Sequence, residues 1–470
     1  VTRRIFNAAL AAAALTAAPA RPNVVIVLCD DLGYGDVGAF FPAAKVATPR
    51  LDRLAREGMR FLDAHSPSGV CTPTRYGLLT GRYCWRTKLT QGVLNGYSPA
   101  LIEPGRQTLA ALLLAQGYRT GGFGKWHLGL GNEAKVDYAR PYAPGPLQYG
   151  FGEYFGIPAS LDMPPYVYLE NDRAVEPPTA SIADNGEVKR GPFWRGGPRA
   201  PGFAMEEVLP KITERAERFL RGAVKSTKPF FAYIPLPAPH TPWVPSKPFQ
   251  GKSPAGPYGD FVGEVDAAIG RIADAVAGTN TLLIVTSDNG APWEERDARE
   301  AAGHRANATW RGQKSDIQEG GHRVPFLAHW PGRIAPNSIS TQLVCLTDLY
   351  ATVAELAGVR LAADMAEDSI SFAPALRGEL SPRMRTAVVH HAGNGMFAIR
   401  DREWKLVLGR GSGGFTAPVK VEPGAGEADG ELYHVLSDPR EEHDLYAAQP
   451  AVVARLKDQL ATWRRQGRSR

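Results

Sequence analysis

The sequence predicts an α/β fold: a mostly parallel sheet sandwiched by helices, followed by a smaller C-terminal domain of antiparallel sheet plus helix. Three observations lead there. Short apolar runs without alternation recur along the chain, as strands buried on both faces require. Helical periodicity separates them, and the order strand, helix, strand builds a parallel sheet. Beyond about Arg377 the pattern changes to alternating strands joined by short turns.

The first run, "NVVIVLC", starts at Asn23 and ends in Asp30-Asp31. The first helix is "TPRLDRLAREG", with Thr48 at the N-cap and Pro49 at the first helical position. "RQTLAALLLAQG" closes on Gly117, and "EEVLPKITERAERFLRG" follows later. "PFFAYIPL" ends near His240, "TLLIVTS" ends in Asp288-Asn289, and "VPFLAHW" follows a Gly-Gly turn. "TDLYATVAELAG" closes on Gly358. Two Pro- and Gly-rich stretches, Ala139 to Pro165 and Arg190 to Gly202, read as long loops that shape a pocket. In the C-terminal part "TAVVHH", "GMFAIRD", "EWKLVLG" and "GELYHVL" are strands, and Pro450 to Gln466 is a helix. No internal repeat is visible.

Composition narrows the function classes. The chain has 470 residues, 44% hydrophobic and 22% charged, which suits a large globular core. No run of about 18 apolar residues follows the N-terminus, so no membrane span is expected. The net charge is +6, but the basic residues are scattered. That argues against nucleic acid as the natural partner and is compatible with a small anionic group. Residues 1–20 have a basic pair, an alanine-rich stretch and an Ala18-Pro19-Ala20 ending, the pattern of a secretory signal. Thr2-Arg3-Arg4-Ile5-Phe6 is similar to the start of a twin-arginine signal, from which Asn7 and Ala8 depart. A periplasmic or secreted bacterial protein is expected, with a catalytic domain over 21–376 and a C-terminal subdomain over 377–470. The four cysteines, Cys29, Cys71, Cys84 and Cys345, show neither a CxxC pair nor metal spacing. A Cys71 to Cys84 disulfide stays open, although a chain of this size does not need one.

In open α/β sheets the ligand site lies beyond the carboxyl ends of the strands. Asp30, Asp31, Asp288 and Asn289 all fall there, and three carboxylates with one amide are hard oxygen donors that suit Ca²⁺ or Mg²⁺ better than Zn²⁺. Each alone reads as a cap or turn former; the two pairs together favour a metal. "GKWHLG" places Lys125 and His127 two apart, on one face if extended. His240 sits in the Pro-locked "PAPHTPW", and Lys314 lies between "RGQ" and "EGGHRVP". Cys71, in the polar "CTPTR", is expected in an accessible turn ahead of a short helix. A thiolate nucleophile there, activated by Arg75, is one reading. An exposed thiol in an exported protein is prone to oxidation, which points to other chemistry.

Cys71-Thr72-Pro73-Thr74-Arg75 followed by "LLTGRY" resembles the C-x-P-x-R signature of the type I sulfatases, and "GYRTGGFGKWHLG", Gly117 to Gly129, resembles their second signature. The resemblance runs from "NVVIVLCDDLGYGD" through "SDNG" and "RGQKSDIQEGGHRVP" to "ELYHVLSDPREEHDL". It implies the alkaline-phosphatase-like fold and conversion of Cys71 to Cα-formylglycine by a maturation enzyme. The aldehyde hydrates to a diol whose oxygen attacks sulfur. The cation, Ca²⁺ ahead of Mg²⁺, is held by Asp30, Asp31, Asp288, Asn289 and residue 71, and stabilises the charge. Asp288 accepts the proton. Lys125 and Lys314 contact sulfate oxygens, and Arg75 orients the diol and the carboxylates. His240, with Lys314, assists the departing alcohol, and His127 deprotonates the second diol hydroxyl so that sulfate leaves. Ser160 matches an active-site serine by context. Around Lys314, the residues His304, Arg305, Asp316, His322 and Arg323 are candidates for binding the hydroxyls and anionic groups of a sugar.

The expected activity is therefore a sulfuric ester hydrolase acting on a sulfated small molecule or glycan. By family analogy the sugar is galactose or N-acetylgalactosamine. A phosphodiesterase or phosphonate monoester hydrolase of the same superfamily, and a sulfated-glycan binder without turnover, are the competing readings.

Overall fold

A computed structural model of the chain describes residues 21–186, 190–379 and 384–470. The expected export signal at 1–20 lies outside them. The central sheet has ten strands. In spatial order they are Ser338–Ser340, Met59–Phe61, Phe326–His329, Thr281–Ser287, Asn23–Asp30, Phe230–Pro239, Arg119–Lys125, Glu153–Ile157, Leu169–Glu170 and Arg173–Ala174.

The apolar runs occupy the middle of this sheet, as both-face burial demands. Asn23–Asp30 pairs in parallel with Phe230–Pro239 on one side and with Thr281–Ser287 on the other. Val24 to Leu28 are completely buried, and each such side chain is worth about 1.5–3 kcal/mol. The parallel expectation holds for this core but not at the margins. Phe326–His329 runs antiparallel to both of its neighbours, and Leu169–Glu170 and Arg173–Ala174 form an antiparallel edge. Phe326–His329 follows Thr281–Ser287 without a long crossover helix between them, only short helices in irregular chain, and so is not bound to return in the same direction.

Helices cover the sheet in two groups. Pro49–Glu57, Val208–Ala223 and Gly256–Ala275 pack on one another and on the central strands, while Cys71–Thr80, Leu109–Ala115 and Asp348–Leu356 form the second group. The Thr108 side chain caps Leu109–Ala115 by accepting the Ala111 N–H at 3.0 Å. Gly117 and Gly358, read from the sequence as stops, both have positive φ.

One glycine sets a close approach next to the site. Gly124 has φ +142, and a Cβ there would lie 1.8 Å from the Pro235 carbonyl oxygen. Only glycine lets Arg119–Lys125 run this near Phe230–Pro239 and present Lys125 beside Asp30.

Ala387–His391, Phe397–Asp401, Trp404–Val407 and Glu431–His434 form the four-stranded antiparallel sheet, backed by the helix Pro450–Gln466. Val388, Val389, Ile399, Leu406 and Leu432 pack under Val453, Leu456 and Leu460 in a second core. Arg385 ties this part to the main one: its Nε and Nη2 donate to both Asp348 oxygens at 2.7 and 2.5 Å. Among the described residues no helix is long and apolar enough to cross a membrane.

Candidate active site

Register brings the site together. Cys29 pairs with Ser287 and Asp30 with Pro239, so Asp30, Asp288 and His240 emerge at one level. The Asp288 N–H donates to the Cys29 carbonyl at 3.0 Å. Asp31 turns away from the strand direction through a positive φ of 67, and its N–H donates to Asp288 Oδ1 at 3.2 Å. Lys125 ends the next strand but one.

Cys71 opens the helix Cys71–Thr80 and is buried, with the N-terminal end of the helix behind it. This corrects the expected accessible turn. The polar residues that suggested exposure are satisfied inside: Thr72 Oγ1 accepts the Leu94 N–H at 3.2 Å and Thr74 Oγ1 donates to the Ser68 carbonyl at 3.3 Å. Arg75 Nε and Nη2 donate to Asp288 Oδ2 at 3.1 and 2.7 Å, and Nη1 donates to the Lys125 carbonyl at 3.0 Å. The four cysteines are free thiols, so the open Cys71 to Cys84 pairing is not formed.

Three cations and three carboxylates interleave. Lys125 Nζ donates to Asp30 Oδ2 at 2.7 Å, Lys314 Nζ to Asp31 Oδ2 at 2.8 Å, and Asn289 Nδ2 to Asp31 Oδ1 at 2.6 Å. Among the described residues two oxygens remain over: Asp30 Oδ1 and Asn289 Oδ1 are buried without a hydrogen bond, and the former faces Arg75 Nη2 at 3.5 Å. Cys71 Sγ and an oxygen from each of Asp30 and Asp288 lie within 4.8 Å of one another, as do ligand atoms of Asp30, Asp31 and His240. A hard divalent cation fits this donor set: oxygen ligands, concentrated negative charge and two unsatisfied acceptors.

The electrostatics separate the roles of the acids. Burial raises the Asp288 carboxyl, the neighbouring Asp30 charge raises it further, and Arg75 opposes, leaving it at about 7. Burial also acts upward on Asp30, but Lys125, His240, Arg75 and Lys314 together outweigh it and hold that carboxyl well below its usual range. Burial raises the Cys71 thiol against the pull of Lys125 and Lys314, so an unmodified Cys71 is a poor thiolate. For His127, burial together with the Lys125 and Arg75 charges pushes the imidazole well below its usual value. Its Nε2–H donates to the Leu94 carbonyl at 2.7 Å, leaving Nδ1 buried, unprotonated and, among the described residues, without a partner. His240 Nδ1–H donates to the Thr241 carbonyl at 2.6 Å, and Nε2 faces Asp31 Oδ2 at 3.6 Å.

Above these groups opens a cavity of about 840 Å³, lined among others by Asp31, Cys71, Ser160, His240 and Lys314. Ser160 thus lines the pocket. The structure places the other recognition candidates outside the lining of this cavity. His304 is fully buried between Asp36 Oδ1, at 2.7 Å, and the Lys45 N–H, which it accepts at 3.2 Å. Asp316 accepts the N–H groups of Gln313, Phe415 and Thr416 and shapes a loop. His322 is buried against His65 and His390, stacked on the latter at 3.6 Å, in a seam with Lys405 and Glu319. Arg323 pairs with Glu319 and Asp63 and covers Trp310. Arg305 is exposed and lines a neighbouring groove instead. The sequence reading missed Asp162, a buried wall residue of the cavity; the only signal was its place two residues after Ser160.

The sheet, the interleaved charges and the pocket define a hydrolase of anionic esters with an alkaline-phosphatase-like fold. The family model for sulfatases matches residues 22–359, and that for the C-terminal part of N-sulphoglucosamine sulphohydrolase matches residues 312–466. The chain belongs to the sulfatase family and is a sulfuric ester hydrolase. It is 32% identical to an N-acetylgalactosamine-6-O-sulfatase of Bacteroides thetaiotaomicron, over 94% of this chain and 92% of the relative. It is 33% identical to human arylsulfatase A, over 96% and 88%. Among solved structures, a 6S-sulfatase from work on glycosaminoglycan metabolism by B. thetaiotaomicron superposes with a TM-score of 0.82 at 30% identity, covering 94% of this chain and 99% of that one. The crystal structure of Ps i-CgsB with k-i-k-neocarrahexaose superposes at 0.71 with 25% identity, covering 96% and 94%.

Proposed function

We propose that the protein is an exported bacterial sulfatase that removes a sulfate ester from galactose or N-acetylgalactosamine, using formylglycine at position 71 and Ca²⁺. The observation that carries this reading is the convergence of Cys71 with Asp30, Asp31, Asp288 and Asn289 beneath one pocket. The relative that acts on N-acetylgalactosamine 6-sulfate, by its name, supports the sugar. Asp30, Asp31, Asp288 and Asn289 would hold the cation, which supplies charge stabilisation at the sulfate. Formylglycine would supply, as its hydrate, a nucleophile with two hydroxyls on one carbon.

The rest of the chemistry falls to the chain's own side chains. Lys125 and Lys314 stand beside the acids and offer N–H donors to sulfate oxygens. Arg75 holds Asp288 in place, and Asp288 would accept the proton released during attack. His240 Nε2, with Nδ1 committed to Thr241, faces the pocket and serves the departing alcohol oxygen. His127, whose Nε2–H is committed to the Leu94 carbonyl, keeps Nδ1 unprotonated and would take up a hydroxyl proton there. Because Cys71 is buried, the maturation enzyme would have to act before the chain folds.

The phosphodiesterase reading is tested by steady-state turnover of 4-nitrophenyl sulfate against bis(4-nitrophenyl) phosphate. The sulfate is expected to be favoured at least tenfold in kcat/KM. A preference for the phosphodiester overturns the assignment.

A further inference from the structure

One wall of the catalytic pocket carries two buried polar atoms that the protein leaves unsatisfied. Ser160 and Asp162 sit on one turn beyond the strand Glu153–Ile157, where the Met163 N–H donates to the Ser160 carbonyl at 2.9 Å. Both line the cavity, and they are only 2% and 3% exposed. Among the described residues, Ser160 Oγ and Asp162 Oδ1 have no hydrogen-bond partner. A buried acceptor stays unpaired at a cost unless a ligand or water pairs with it.

Asp162 is otherwise held firmly. Its Oδ2 accepts from Arg195 Nη1, and its carbonyl accepts the Arg195 N–H at 3.2 Å and the Tyr166 hydroxyl at 3.0 Å. Only Oδ1 is left over. His240 Nδ1 is 3.8 Å away and already donates to the Thr241 carbonyl. So Asp162 does not serve as the orienting partner of His240, and its free oxygen lies beside the ring whose other nitrogen serves the leaving group.

We propose that Asp162 Oδ1, with Ser160 Oγ beside it, receives hydroxyl groups of the sugar ring that bears the sulfate, which makes Asp162 a specificity-determining residue. This rests on the sulfatase reading above. An ionised carboxylate only accepts, so it selects a ring with hydroxyls next to the ester-bearing position and repels a carboxylate or second sulfate there. A site built to pair with a hydroxyl discriminates strongly against an analogue that lacks it.

The test compares wild type, Asp162→Ala, Asp162→Asn and Ser160→Ala on three substrates: a galactose or N-acetylgalactosamine 6-sulfate, its monodeoxy analogues, and 4-nitrophenyl sulfate. Asp162→Ala is expected to lower kcat/KM on the sugar sulfate about 100-fold, and at least tenfold more than on the aryl sulfate. Asp162→Asn, which preserves shape, shows the same order of preference, and Ser160→Ala shows a smaller loss. One monodeoxy analogue should be poor for wild type and lose little more in Asp162→Ala. Equal losses on sugar and aryl sulfate, or a loss under threefold on the sugar, would overturn the proposal. Wild type that turns over no sulfate ester overturns the sulfatase reading itself, before any variant is compared.

Discussion

Cys71→Ala and Cys71→Ser each lose at least about 10³-fold in sulfatase turnover while folding as wild type does. Among the described residues the thiol forms no disulfide, and its replacement by alanine leaves a small void costing about 1 kcal/mol, well inside the stability of a chain this size. Serine keeps an oxygen at the mouth of the acid cluster, and that is its value as a control. On the proposed mechanism it offers one hydroxyl where a formylglycine hydrate would offer two, and His127 would have no second proton to remove. Single-turnover assays on 4-nitrophenyl sulfate, with circular dichroism to check the fold, decide the matter. Near-wild-type rates in both variants would remove residue 71 from the chemistry.

Stripping divalent cations is the second large effect. Asp30, Asp31 and Asp288 are buried, and Arg75, Lys125 and Lys314 pair with them. A cation bound to the folded state alone stabilises it by about 2.7 kcal/mol at a hundred times its Kd. For a chain of this length that corresponds to a rise in Tm of about 3 °C. Chelation is therefore expected to lower Tm and abolish turnover together, with Ca²⁺ restoring both at lower concentration than Mg²⁺. A Tm and a rate unchanged after exhaustive chelation would contradict the assigned role of the acids.

What the sequence reveals about the site follows from how strands advertise themselves. "NVVIVLCDD" and "TLLIVTSDNG" end apolar runs in acids, and parallel register then has to bring those acids together. The helix Pro450–Gln466 and the four C-terminal strands were equally legible, since alternation and a clean stop by Gly467 are local signals. Misreadings arose where a polar residue finds its partner far along the chain. His304 looks like a loop histidine until Asp36, 268 residues away, takes it into the interior. His322 and Arg323 meet His65 and Asp63 in the same way. "CTPTR" reads as exposed because nothing nearby shows that Arg75 is to be buried against Asp288. Asp162 had no signal beyond its place two residues after Ser160; among the described residues one of its oxygens stays unpaired after folding.

The central claim concerns the chemical identity of residue 71, and intact mass of the peptide containing Cys71, from protein made with its maturation enzyme, tests it most directly. Formylglycine lowers the mass by about 18 Da relative to cysteine, and that shift should track specific activity between preparations. Active protein whose residue 71 is entirely unmodified cysteine would contradict the account.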